Sequence, residues 1–133
     1  MGMVTYLQPV HGQEPAGVEV DIDKSAYELA EGLDAIGLNG NVIVMGYFGS
    51  GEESDDGNGA VFDAHLDPEQ VQRNWRHLQA VTVERFLAAF KGTNPGASSD
   101  DQNNDYLEAH FTTLRDVYRT AADGGAGIKI MTC

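Results

Sequence analysis

Residues 67–90, "DPEQVQRNWRHLQAVTVERFLAAF", contain two helix starts in succession, and their reading decides the fold. Asp67 is an N-cap residue type and Pro68 follows at the first helical position, where its missing N–H costs nothing. Gln70, three residues after the cap, completes a capping box. Such a cap stabilises by about 1 kcal/mol. Beyond it Val71, Trp75 and Leu78 recur on one helical face. Thr82 starts a second, shorter helix whose apolar stripe is Val83, Phe86, Leu87 and Phe90.

Toward the C-terminus, "KGTNPGASSDDQNN" (91–104) reads as a loop by composition. A long helix follows, with Tyr106, Leu107, Phe111, Leu114, Val117, Tyr118 and Ala121 inward and Gly124 or Gly125 ending it. "GIKIMT" alternates and forms a last strand. Toward the N-terminus, Met3–Val10 is a first strand that ends at Pro9 and the turn-like "HGQEPAG". Asp23 caps a helix over "KSAYELAEGLDAI", which Gly37 stops. Val42–Tyr47 has the length and β-branched content of a buried strand. Residues 1–133 thus form a single α/β or α+β domain, a small mixed β-sheet with packed helices.

Composition narrows the partners. The 133 residues carry 21 acidic against 8 Lys and Arg side chains, a net charge of −13, so the long-range field opposes nucleic acid and anionic lipid. This excess reads either as a solubilising surface or as a docking face for a basic protein. The single cysteine, Cys133, cannot form an internal disulfide, and "MGMVTYLQPV" has neither a cationic leader nor a long apolar stretch. A cytoplasmic setting is expected.

Gly46, Gly49 and Gly51 follow an apolar run, but their G-x-x-G-x-G spacing is not the dinucleotide fingerprint and no Walker lysine follows. Glu52, Glu53, Asp55 and Asp56 would repel a phosphate there, so no cofactor is expected, and these four carboxylates become the candidate binding residues. Neither Asp56 with Asn58 nor Asp101, Asn103 and Asp105 completes a calcium loop. Asp63 and His65, two apart, would share one face of a strand and are the candidate metal or proton-transfer pair. His110, between Leu107 and Leu114, reads as a core histidine or as a catalytic one in a tyrosine-lined pocket.

Four features together resemble the YfbM-like family of bacterial domains of unknown function: the "MGM" start, "DIDKSAYEL", a glycine-rich stretch before "HLDPEQV", and "DYLEAHFTTLRDVYRTAADGG" before a short terminal strand. The resemblance implies a three-layer α/β/α-like arrangement and supplies no catalytic residues. "SAY" stands in the first helix where the family pattern leads one to expect a tryptophan. The functional expectation is a small interaction module that neutralises a basic partner, with a metal-dependent or His/Asp-based hydrolase as the alternative.

Overall fold

The computed structural model describes residues 4–46, 54–55, 60–93 and 101–132. In chain order they form β1 (Thr5–His11), β2 (Glu14–Pro15), β3 (Val20–Asp21), α1 (Ala26–Ile36), α2 (Gly40–Met45), β4 (Ser54–Asp55), β5 (Ala60–Leu66), α3 (Pro68–Leu78), α4 (Val83–Thr93), α5 (Asp101–Asp123) and β6 (Gly127–Thr132). The sheet order is β2-β1-β6-β5-β4, and β3 also pairs with β1. Every pairing is antiparallel, where a mixed sheet was expected. This holds even for β5 and β6, whose connection through α3, α4 and α5 is long enough for a parallel crossover.

Strand alternation separates the two faces of the sheet. Leu7, Ile128, Ile130, Ala64 and Leu66 point to one face and are buried. Tyr6, Gln8, Lys129 and Met131 point to the other and are only half-buried, while Asp63 and His65 are exposed. At the far end the Thr5 and Thr132 hydroxyls share a buried hydrogen bond of 2.9 Å across β1 and β6.

Pro9 interrupts one rim of the sheet. Its carbonyl accepts from Ala16 N at 2.8 Å, so its missing N–H falls on the same side of β1. β3 pairs with β1 before this point and β2 after it, leaving two short strands in place of one.

The helices cover the apolar face. α2, α3 and α5 touch the sheet, whereas α1 packs on α2 and α4, and α4 on α1 and α5. Three layers are therefore present, ordered sheet, helix, helix; the sequence expectation had placed the sheet in the middle.

The capping box at Asp67 forms in both directions: Asp67 Oδ1 accepts from Gln70 N at 2.8 Å, and Gln70 Oε1 accepts from Asp67 N at 2.9 Å. Thr82 also caps as expected, its hydroxyl accepting from Arg85 N at 3.1 Å. Phe86 then stacks on Phe111 of α5 with centroids 4.4 Å apart.

Three local expectations are corrected. The stretch Val42–Tyr47, expected as a strand, is helical from Gly40 to Met45, and Tyr47 lies outside the described residues. Asn39 caps this helix, accepting from Val42 N at 3.3 Å, and the Asp34 carboxylate accepts from Gly40 N at 2.8 Å. Asp23 does not cap α1. The N-cap is Ser25, without a side-chain cap bond, while Asp23 sits at a left-handed φ of 51° and its carboxylate is held by Tyr106. The expected loop 91–104 is narrower, because α4 runs to Thr93 and α5 begins at Asp101.

Candidate functional site

Asp63 and His65 come together as the strand spacing required, with Nε2 and Oδ1 3.9 Å apart, and both are half-exposed. Across β6 their neighbours are Met131 and Lys129. An ammonium group beside the pair opposes a divalent cation, and the carboxylate of Asp67 is already committed to its helix cap. No cluster of three potential metal ligands occurs among the described residues. His65 borders a depression of about 280 Å³ with Gly12, Pro68 and Gly127; Asp63 does not.

His110 cannot join them, since α5 packs on the opposite face of the sheet. Its ring meets Tyr106 edge-on at 4.6 Å, and its buried Nδ1 has no hydrogen-bond partner among the described residues. Tyr106 donates to Asp23 Oδ2 at 3.0 Å and accepts from Lys24 N at 3.2 Å. Burial first, then the Asp23 carboxylate, raises its phenol above the ordinary tyrosine range. The phenol hydroxyl, donating to Asp23 and accepting from Lys24 N, anchors the entry to α1.

Of the candidate binding carboxylates, Glu52, Glu53 and Asp56 lie outside the described residues. Asp55 is placed by its backbone alone, in β4 opposite Ala60. Asp56 with Asn58 likewise lies outside, and Asp101, Asn103 and Asp105 belong to helix α5, which excludes a calcium-loop conformation there.

A second acidic stretch, which sequence reasoning did not single out, is visible in full. Between residues 14 and 34 Lys24 is the sole cation among seven carboxylates, and Glu14, Glu19, Asp21, Glu31 and Asp34 are exposed. The exposed large hydrophobic side chains of the described chain, Val18 at 80% and Tyr27 at 59%, fall in this same stretch. A signal was available: Val18 stands between glycine and glutamate, and Tyr27 lies off the apolar stripe Ala26, Leu29, Ala30 and Leu33.

Behind α2 and α3 lies a buried polar tie. Tyr118, fully buried on α5, donates to the Ile43 carbonyl at 2.6 Å and accepts from Asn74 Nδ2 at 3.2 Å. It satisfies a carbonyl near the end of a helix too short to satisfy its own. Burial raises the phenol well above its ordinary range. Below the ordinary tyrosine value of about 10, the phenol is protonated in the folded and unfolded chain alike, and its contribution is fully present. Above that value the unfolded chain loses the proton while the buried phenol keeps it. Stability therefore falls, by up to about 1.4 kcal/mol per pH unit from this group. We expect Tyr118→Phe to cost about 1–3 kcal/mol at pH 7 through the orphaned Ile43 carbonyl. That cost should shrink above pH 10, which urea unfolding of both proteins from pH 7 to 11 will measure; a constant cost would mean that Tyr118 ionises freely.

An antiparallel sheet with helices stacked in two tiers on one face defines a mixed α/β single domain. The same fold occurs in a solved protein of unknown function, YfbM from Escherichia coli. The two structures align over 98% of this chain and 99% of that one, with a TM-score of 0.63 and 14% sequence identity. No family model and no curated protein sequence matches the chain. The resemblance read from the sequence is thus matched at the level of fold. No described helix is long and apolar enough to cross a membrane.

Proposed function

We propose that the protein is an interaction domain that engages a basic protein partner in the cytoplasm through the flank formed by residues 14–34. One observation carries this reading: Val18 and Tyr27 are exposed within a stretch that sets seven carboxylates against Lys24 alone. Carboxylates steer an oppositely charged partner and set its on-rate, while exposed aromatic and aliphatic side chains supply the desolvated contact that holds it. A solubilising surface accounts for the charge but not for the apolar side chains within it. The carboxylates of Glu52, Glu53, Asp55 and Asp56 would extend the same field.

The test is a backbone-amide NMR titration with a decalysine peptide at two salt concentrations. Shifts should concentrate in residues 14–34, and affinity should fall by about tenfold between roughly 20 and 150 mM salt. Glu19→Lys should flatten the salt dependence, and Tyr27→Ala should weaken binding while leaving that dependence unchanged. Reversing charge at Glu52, Glu53, Asp55 and Asp56 should slow association more than it alters folding. Binding indifferent to salt, or shifts spread evenly over the surface, would overturn the reading.

A further inference from the structure

A groove of about 330 Å³ opens between α2 and α3, at the small end of the range for ligand cavities. One wall is apolar, made by Leu38, Val42 and Ile43; the other is polar and cationic, with Arg73, Asn74 and His77. The walls are held from behind, since Asn74 donates to Tyr118 and Tyr118 donates to the Ile43 carbonyl. Its shape is therefore set before any ligand arrives, which reduces the ordering cost of binding.

The charge of the groove runs against that of the chain. In a protein of net charge −13, the lining of this groove includes, among the described residues, the Arg73 guanidinium and no carboxylate. Glu69 pairs with Arg73 at 3.6 Å, but the two side chains are 85% and 60% exposed. An exposed helical pair of this spacing contributes only about 0.3–0.5 kcal/mol. A carboxylate seated in the groove, where it can take two parallel bonds from the guanidinium, competes well with it.

We propose that this groove binds a small carboxylic acid with an apolar body. The carboxylate sits on Arg73 with His77 beside it, the hydrocarbon or aromatic part lies on Leu38, Val42 and Ile43, and the Asn74 amide fixes its orientation. Its lining shares no residue with the 14–34 flank, and the proposal does not depend on the function proposed for that flank.

Phenylacetate and its uncharged isostere phenylacetamide are suitable probes, titrated into the full chain and followed by backbone-amide NMR. Phenylacetate should shift residues 37–43 and 70–77 and bind about tenfold more tightly than the amide, a factor worth about 1.4 kcal/mol. Arg73→Gln should remove that advantage at unchanged melting temperature, because the lost surface pair adds little stability. Leu38→Trp, a substitution at a half-exposed loop position, should fill the groove and abolish binding of both probes. Equal affinity for acid and amide, or shifts confined to other parts of the surface, would overturn the proposal. Binding of the tripeptide Gly-Gly-Phe without binding of phenylacetate would overturn the assignment to a small acid in favour of the C-terminal carboxylate of a peptide.

Discussion

Gly40→Ala is expected to destabilise the protein by about 3 kcal/mol, the upper end of what overpacking usually costs. At an ordinary helical position the same change gains about 0.5–1 kcal/mol, because alanine has less backbone freedom to lose. Here sterics reverse the sign. A Cβ on Gly40 would stand 2.7 Å from the Ala30 Cα and closer still to the Ala30 carbonyl oxygen. Those atoms are helix backbone and cannot rotate aside. Relief requires α1 to move away from α2, and α1 carries Leu29 and Leu33, both fully buried. Gly92, near the end of α4, has nothing within 4 Å of the same added atom, so Gly92→Ala is the matched control and should be neutral or slightly stabilising. Urea unfolding of the two variants beside the parent protein decides the matter; equal stability of all three would mean that α1 and α2 do not approach as described.

Phe86→Ala should cost still more, about 3–5 kcal/mol, as removal of a large buried aromatic side chain usually does. Phe86 is fully buried and lies nearly parallel to the Phe111 ring, at an interplanar angle of 7°. Its other neighbour explains a residue that otherwise weakens α1. An added Cβ on Gly32 would run into the edge of the Phe86 ring, at 2.9 Å from Cδ1 and from Cζ and nearer to Cε1. The ring cannot swing away without breaking its stack on Phe111. Gly32→Ala should therefore destabilise by about 1–3 kcal/mol in the parent protein and by clearly less in a Phe86→Leu background. The cycle should give a coupling of at least about 1 kcal/mol. Additive costs would remove Phe86 as the reason for glycine at position 32.

What could be read from the sequence follows from where local signals agree with the tertiary environment. The capping box at Asp67, the stripe of α5 and the alternation of β6 all carry their own periodicity or cap, and each forms where expected. The run Val42–Met45 carries none, because all four side chains are buried and an all-round buried helix has no polar face to reveal its period. The distinguishing signal lay three residues before the apolar run: Asn39, two residues past the helix stop at Gly37, is an N-cap. Asp23 misled for the opposite reason. Its type suits a cap, but Tyr106, distant in sequence, holds its carboxylate, and no local pattern announces that bond. The candidate site divided likewise. Asp63 and His65 share a face because strand period alone decides it, whereas the exclusion of His110 depends on which side of the sheet α5 covers.

The break at Pro9 has a consequence for how anything can attach along the 14–34 flank. A sheet rim usually invites an incoming chain to add itself as one more strand, copying backbone to backbone with little regard to its sequence. Here the rim offers only the two-residue strands β2 and β3, with carboxylates at Glu14, Glu19 and Asp21 along the way. No visitor finds a run long enough to copy, so growth by repeated strand addition is blocked on this side. Whatever docks there must be recognised by its side chains, and its sequence, not its readiness to extend, decides whether it is held.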